Sequence, residues 1–434
     1  MNPDTYLDRK RPKIGFLPIG RLAGDEIATH TKLGIDLIQQ IDADVIPCPT
    51  IWEEPALLDE VARLRAQEID MLVVYPLHGM SAEQQTLAGV QCGVPTVIWA
   101  LNSNYSFSSA TSAVGALRER GYRPKMALGQ AGDASVLPDI ELWARAAFAK
   151  AQLGRARIGA LGNLFPNLPA AQYHRDILFS RLGPQVVHLT LAQLRKTLDE
   201  LDEGATATAI ERLHERFDVL VSDESLREAV RFDQALLKIA GAQRLAGFAV
   251  ECHTETNLLF GINPCLSFAH AEPRLAIGCE GDVEAAAHIL MTRWLTGADA
   301  YLGDIFSLEN GVLALKHCGA GCQLAREGKV AIRGLKAPAT VGVDRTLAMC
   351  MPELPDGRVT LMRLHGRESY KMHVAMGDVI SSKAEDGTYV EIRLDRPAEF
   401  LGEVCGNHYL LAYGDLRRRL AALCEWMEIE ITET

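Results

Sequence analysis

The feature that most constrains the fold of this chain is a repeated alternation of short apolar runs with longer helix-like stretches. Residues 13–17 (KIGFL) and 71–75 (MLVVY) are rich in β-branched or aromatic side chains, and helix-like stretches at 25–41 and 56–67 separate such runs. Strands that alternate with helices form parallel sheets covered by helices. The sequence therefore predicts an α/β domain over residues 1–153.

The alternation starts again beyond that point. Residues 156–161 (ARIGAL), 186–189 (VVHL), 219–222 (VLVS) and 246–250 (AGFAV) resemble strands, with helix-like stretches between them. This pattern predicts a second α/β domain over residues 154–330.

After about residue 330 the pattern changes to strand-like runs without helices between them. These runs, which Gly, Asp and Pro turns separate, lie at residues 329–332, 346–351, 358–364, 370–376 and 389–394. They predict a small antiparallel, barrel-like domain over 331–434, ending in a helix over 416–427 that Asp415 caps. The predicted fold class is α/β: two tandem Rossmann-like parallel-sheet domains followed by a small antiparallel β domain.

Charge and composition limit the classes of partner. The net charge is −12 and no large Lys/Arg cluster is present, so a nucleic-acid partner is not expected. No run approaches the length of a membrane-spanning helix, and the charged N-terminus lacks the apolar core of a secretory signal. Ten cysteines lie singly along the chain, which favours free thiols in the cytoplasm.

The common nucleotide-binding signatures are missing. Gly15, Gly20 and Gly24 follow the first predicted strand without the spacing GxGxxG, and no GxxxxGK[ST] motif occurs. We therefore expect no nicotinamide cofactor.

Residues 251–322 concentrate acids, histidines and cysteines in otherwise apolar sequence. Glu251, His253 and Glu255 alternate in ECHTETN, so on a strand they would point the same way. Asp282 opens an apolar-periodic run, where a helix should begin. Glu255 and Asp282 could thus meet beside one pocket, although a strand-end surface acid and an ordinary helix cap would give the same local patterns.

The order of these residues resembles the L-fucose isomerase and L-arabinose isomerase superfamily, particularly the shorter fucose-isomerase-like proteins. The resemblance is densest over residues 247–322 and 403–415, and in the N-terminal third it extends only to topology. The matched positions, in chain order, are Glu255, Cys279, Glu280, Gly281, Asp282, Gly297, Asp304, Asn310, His317, Cys318, Gly319, Asn407, His408, Gly414 and Asp415.

The resemblance implies specific roles. Glu255 in CHTET stands where the family has a strand-end glutamate, Asp282 completes an E-x-D, and His408 in NHYLLAYGD matches the last metal ligand. Glu255, Asp282 and His408 would then hold one divalent ion, with Glu255 and Asp282 catalytic and the division of roles between them open. His253 and Thr254 replace the family's usual Trp-Pro, and the roles of Glu251 and His253 stay open.

Two carboxylates and one imidazole suit Mn²⁺, with Mg²⁺, Co²⁺ or Fe²⁺ as alternatives, whereas a closed zinc site usually includes thiolates. Such an ion supports aldose–ketose isomerisation through an ene-diol, in which a carboxylate moves the proton between C2 and C1.

The resemblance also implies a homo-oligomer, a trimer or hexamer, whose subunits share active sites. Three polar residues follow strands at the carboxyl edge of the first predicted sheet, where open α/β folds bind ligands: Arg21, His78 and Asn102. They are candidates for substrate contacts, as are Asp304, His317 and Asn407 near the predicted ion.

The expected function is a metal-dependent aldose–ketose isomerase acting on a free, deoxy or modified sugar such as a sulfo sugar. A metal-dependent epimerase or lyase acting on a sugar acid is an alternative, because the CHTET segment departs from the family pattern. A non-catalytic sugar-binding protein of the same fold is another, which the two acids and His408 disfavour. The sequence does not identify the sugar.

Overall fold

A computed structural model describes residues 10–21, 25–260, 264–269, 275–328, 330–336 and 346–434, except the side chains of residues 257, 258, 264, 268 and 269. The chain forms two compact units. The first consists of the described parts of residues 9–151 and 419–427, and the second of those of residues 152–418 and 428–434.

The first unit contains a five-stranded parallel sheet in the order β2-β1-β3-β4-β5. Every residue of β3 and β4 is buried, as expected for central strands covered on both faces. The predicted alternation is confirmed. Its elements are β1 (Lys13–Ile19), α1 (Asp25–Ile38), β2 (Asp44–Pro47), α2 (Glu54–Ala66), β3 (Met71–Pro76), α3 (Ala82–Cys92), β4 (Thr96–Leu101), α4 (Ser106–Glu119), β5 (Lys125–Gly129) and the start of α5 (Leu137–Arg155).

The second unit begins with a four-stranded parallel sheet in the order β10-β9-β6-β7, which also confirms the prediction. Its strands are β6 (Arg157–Leu161), β7 (Gln185–Leu189), β9 (Gly247–Val250) and β10 (Ala276–Cys279), while β8 (Asp218–Leu220) joins another sheet. The helices are α6 (Arg175–Arg181), α7 (Leu191–Asp199), α8 (Glu203–Arg216), α9 (Asp223–Gln243), α10 (Glu255–Phe260) and α11 (Val283–Thr296).

A closed antiparallel barrel of six strands follows, in the order β15-β18-β11-β12-β17-β16, with β15 paired to β16. The barrel-like prediction is confirmed. The barrel strands are β11 (Tyr301–Glu309), β12 (Val312–His317), β15 (Gly357–His365), β16 (Lys371–Ala384), β17 (Thr388–Leu394) and β18 (His408–Tyr413), with α12 (Pro397–Glu403) before β18 and β19 (Glu430–Glu433) parallel to β16. Leu313, Leu361, Ile392 and Tyr409 belong to its core.

Two details of this region differ from the sequence-based prediction. The runs predicted near 329–332 and 346–351 are β13 (Val330–Lys336) and β14 (Thr346–Pro352), which form a separate sheet with β8 in the order β14-β13-β8. The barrel instead begins at β11 and β12. Asn310 and Gly311 join these strands with φ angles of 52° and 80°, as a tight hairpin turn requires.

The predicted C-terminal helix is present as α13 (Arg417–Met427), and Arg417 N donates to Asp415 Oδ1 at 3.1 Å, so Asp415 contributes at its start as expected. Within the described residues, none of the helices is both long and apolar enough to cross a bilayer.

Candidate metal centre

Four side chains of the second unit converge on one point. Glu280, Asp304, His317 and His408 each offer a ligand atom, and these atoms all lie within 4.8 Å of one another. The two histidines are buried, and the two acids are partly buried. This is the one group of potential metal ligands found among the described residues.

Strand register brings two of the four together, and a third lies at the end of the neighbouring strand. The strands β18, β11 and β12 are neighbours in the barrel, and Asp304 on β11 is the register partner of His408 on β18. On its other side Asp304 pairs with Lys316, the residue before His317. Residues separated by about a hundred positions in sequence thus become neighbours because antiparallel strands place paired residues side by side.

The fourth side chain comes from the parallel sheet. Glu280 directly follows β10 and, like Gly281, lies in the left-handed region, with φ angles of 60° and 77°. The turn is held by hydrogen bonds from Phe165 N to Glu280 O and from Gly281 N to Val250 O, both 2.9 Å. A non-glycine residue with this backbone is unusual and is often found at functional sites.

The polar contacts of His408 orient its ring toward the acids. Nδ1 lies 2.9 Å from Asp282 Oδ2, and Nε2 lies 3.5 Å from Asp304 Oδ1 and 3.8 Å from Glu280 Oε2. Asn407 Nδ2 donates to Asp304 Oδ1 at 2.7 Å. The Nε2 atom therefore faces the centre of the cluster.

Three buried nitrogen atoms of this cluster make no hydrogen bond within the part of the chain that the structure describes: Nδ1 and Nε2 of His317 and Nε2 of His408. His317 is 5% exposed and His408 is 2% exposed. An unsatisfied buried polar atom costs about 1–3 kcal/mol, so such atoms call for an explanation. A divalent ion between two imidazoles and two carboxylates would take His408 Nε2 and one of the two His317 nitrogens as ligands, and the donor set fits Mn²⁺, Fe²⁺ or Co²⁺.

The acids and imidazoles of this cluster stabilise each other's charged forms. Burial lowers the pKa of His408, but the hydrogen bond to Asp282 and the nearby acids outweigh burial and raise it. Burial likewise opposes ionisation of Asp282 and Glu280, yet the hydrogen bonds with His408 and His253, respectively, give a net lowering of both pKa values. The protein thus holds ionised carboxylates beside imidazoles in a buried place.

Asp282, which the resemblance implies as a ligand, uses both carboxylate oxygens within the protein. Oδ1 accepts from Ala285 N at 2.8 Å and so caps α11, and Oδ2 contacts His408. The N-cap and the helix predicted from the sequence are present. In this geometry Asp282 supports His408 rather than offering a free oxygen to the cluster.

Glu255 is not on a strand, contrary to the expectation from the alternation of residues 251–255. β9 ends at Val250, residues 252–254 form a turn and Glu255 begins α10. The cause is Glu251, whose buried carboxylate accepts from the backbone N–H groups of His253, Thr254 and Glu255 at 2.5–3.0 Å. A carboxylate that binds consecutive N–H groups starts a helix instead of extending a strand.

The Glu255 carboxylate lies against the segment after β6. Asn163 Nδ2 donates to Oε1 at 2.5 Å, and Asn163 N donates to Oε2 at 3.2 Å. The same segment borders the cluster, since a Cβ atom on Gly281 would come within 2.5 Å of Asn163 O. Asn163 therefore contacts both Glu255 and the turn that carries Glu280. Glu255 itself is not one of the four converging residues.

The three candidates from the N-terminal third all lie in the first unit. The Arg21 guanidinium carbon is 5.0 Å from the Trp52 ring centre, and Arg21 N donates to His78 Nε2 at 3.0 Å. Arg21 and Trp52 also line a cavity of about 600 Å³. Asn102 donates its backbone N–H to Gly129 O at 3.0 Å. The structure thus brings Arg21 and His78 together.

The sequence predicts Asp304, His317 and Asn407 as substrate contacts and assigns Glu280 no role, whereas Glu280, Asp304 and His317 converge with His408. The available signal was the CEGD segment, in which a glycine follows an acid at the end of an apolar strand. Glycine there permits the sharp turn that directs Glu280 to the barrel.

No protein-family model matches the chain. A sulfoquinovose isomerase from Clostridium sp. (strain MSTE9) is 22% identical over 452 residues, covering 96% of this chain and 98% of that protein.

Among solved structures, a D-allose-bound periplasmic solute-binding protein from Actinobacillus succinogenes 130z is 12% identical and has a TM-score of 0.19, with 55% of this chain and 78% of that one covered. A myo-inositol-bound solute-binding protein from Bacillus halodurans C-125 is 14% identical with a TM-score of 0.18, covering 67% and 91%. Scores this low carry no argument. The informative comparison is the one with the sulfoquinovose isomerase, to which this chain is similar over nearly its whole length.

Proposed function

We propose that this protein is a metal-dependent aldose–ketose isomerase. The observation that carries the proposal is the convergence of Glu280, Asp304, His317 and His408, with buried imidazole nitrogens that lack partners among the described residues. The full-length similarity to a sulfoquinovose isomerase supports the reaction class.

The four converging residues would hold the ion, which we propose to be Mn²⁺, with Mg²⁺, Co²⁺ or Fe²⁺ as alternatives. When bound, the ion would polarise the carbonyl and the adjacent hydroxyl of an open-chain sugar. Asp282 would fix the His408 ring through Nδ1, so that Nε2 faces the ion. No nicotinamide is needed, because the reaction is an internal redox step.

We assign the proton transfer to Glu255. Its carboxylate would remove the proton from C2, leaving an ene-diol, and return a proton to C1 while the hydroxyl proton moves between O2 and O1. Asn163 holds both oxygens of this carboxylate, which fixes its orientation. Asp282 is a poorer base in this geometry because it is only 1% exposed and its Oδ2 is paired with His408, whereas Glu255 is partly exposed.

We further propose a sulfonated aldose as the substrate class. The name of the relative supports a sugar with a sulfonate group, and the relative matches this chain almost from end to end.

The test is incubation of the Mn²⁺-loaded protein in D₂O with sulfoquinovose, glucose, a deoxy sugar and a sugar acid, followed by NMR. We expect a ketose from sulfoquinovose, with deuterium at C1 or C2. Glu280→Gln and His317→Leu should lose activity by orders of magnitude, while the exposed control Glu368→Gln should not. A product without deuterium at short and long times would favour hydride transfer, and turnover of only the sugar acid would replace isomerisation by epimerase or lyase chemistry.

We also propose a homo-oligomer, a trimer or hexamer, with Arg21, His78 and Asn102 contributing to substrate binding. The support is the family resemblance and the clustering of Arg21, Trp52 and His78. Sedimentation velocity at assay concentration tests it, and a fully active monomer would contradict it.

A further inference from the structure

His253 contacts the metal cluster, although the proposed reaction assigns it no role. Its Nε2 atom lies 3.3 Å from Glu280 Oε1, and its side chain is 22% exposed. The imidazole stacks on the Phe165 ring, with 4.6 Å between ring centres and 19° between planes. The ring is therefore fixed on one face by an aromatic neighbour and at one edge by an acid.

The backbone of His253 is fixed as well. Its N–H donates to Glu251 Oε1 at 3.0 Å, and Thr254 N donates to both oxygens of the same carboxylate at 3.0 Å. Glu251 is only 1% exposed, so this anchor is part of the interior. The turn that carries His253 thus holds its place independently of any ligand.

These contacts determine which carboxylate oxygen of Glu280 is available to a metal ion. One of its carboxylate oxygens, Oε1, is held by His253, and the other, Oε2, lies 3.8 Å from His408 Nε2. The Glu280 backbone is tied to Phe165 by the hydrogen bond from Phe165 N to Glu280 O at 2.9 Å. Phe165 therefore contacts both partners, and the two constraints leave the Glu280 side chain little freedom.

We propose that His253 is a positioning residue for the metal centre, holding Glu280 Oε1 so that Oε2 is presented to the ion as a single oxygen ligand. The inference rests on the proposed metal site. Residues that hydrogen-bond a metal ligand fix its orientation, and their removal typically weakens metal binding about 10–100-fold. Glu251, in turn, fixes the turn on which His253 lies.

Two substitutions separate the hydrogen bond from the ring stacking. His253→Phe keeps a ring against Phe165 but has no donor for Glu280, whereas His253→Gln keeps an N–H near the former Nε2 position. We measure the dissociation constant for Mn²⁺ alone by isothermal titration and by electron paramagnetic resonance. We expect His253→Phe to bind Mn²⁺ about 10–100-fold more weakly than the unsubstituted protein, and His253→Gln to recover most of that loss.

Thermal unfolding of the metal-free variants checks that both fold as the unsubstituted protein does. Equal Mn²⁺ affinity of the Phe and Gln variants, whether strong or weak, would overturn the inference, because the donor would then make no difference. If Mn²⁺ binding follows the expected ranking of variants but the protein converts no sugar, the isomerase proposal is wrong and the inference about His253 stands. Absence of Mn²⁺ binding in the unsubstituted protein would overturn both.

Discussion

His408 Nδ1 lies 2.9 Å from Asp282 Oδ2, between side chains that are almost completely buried. Because Asp282 also caps α11 through Oδ1, one carboxylate links the start of a helix to the imidazole of a barrel strand. The contact fixes which nitrogen of His408 carries a hydrogen and which one faces Glu280 and Asp304.

Asp282→Asn should weaken Mn²⁺ binding about 10–100-fold. Asparagine has one acceptor oxygen, so its NH₂ group must face either the helix N–H or the His408 Nδ1–H. The matched control is Asp202→Asn, which changes the N-cap of α8, where the side chain accepts from Ala205 N at 2.7 Å. Titration with Mn²⁺ compares the two, and equal affinities would argue against a supporting role for Asp282.

Gly281→Ala should destabilise the protein more than Gly297→Ala does. Both glycines have positive φ angles, 77° and 76°, but a Cβ atom at Gly281 would lie 2.5 Å from Asn163 O, whereas nothing lies within 4 Å at Gly297. For Gly297→Ala we expect the free energy of unfolding to fall by about 1–2 kcal/mol, from the backbone conformation alone. For Gly281→Ala we expect an additional loss of roughly 1 kcal/mol or more, from the contact with Asn163 O. Urea unfolding measures the difference, and equal losses would contradict the packing described.

Asn163→Asp should move the acidic limb of the pH–rate profile to higher pH. The new carboxylate would lie where Asn163 Nδ2 now donates to Glu255 Oε1, and two like charges in contact favour protonation of one of them. Asn163→Ala removes the side-chain hydrogen bond without adding charge, so the acidic limb of its pH–rate profile should move less. Profiles of kcat/KM against pH test this, and superimposable profiles would speak against Glu255 as the base.

The buried His288 should make stability fall in acid. Burial, with help from the Arg363 charge, lowers its pKa from 6.5 to about 3. The folded state thus favours the neutral ring, so this stability is fully present above pH 6.5 and is lost as the pH falls toward 3. We expect a loss of about 2 kcal/mol between pH 7 and pH 5 from this residue.

Urea unfolding at several pH values compares His288→Asn with the exposed control His188→Asn. The slope of unfolding free energy against pH should decrease in the first variant and not in the second. Unchanged slopes in both would show that His288 does not titrate in this way.

Local patterns were sufficient for much of this fold. The alternation of apolar runs and helix-like stretches predicts both parallel sheets, and Asp282 and Asp415 are recognisable at helix starts because capping depends on adjacent residues. The Asn310-Gly311 pair is a local hairpin signal of the same kind, because both residues adopt the positive φ angles that the turn requires.

Tertiary structure decided the site. Asp304 and His408 meet because β11 and β18 pair in one register, and a shift by a single residue would turn one of them to the other face. Glu280 joins them through a left-handed turn, while Glu251 captures three backbone N–H groups and converts an expected strand into a helix start. The sequence by itself determined the α/β alternation of the two parallel sheets, the helix starts at Asp282 and Asp415, and the pool of acids and histidines. Which of them converge depends on long-range strand pairing and on hydrogen bonds between distant segments, which no local pattern encodes.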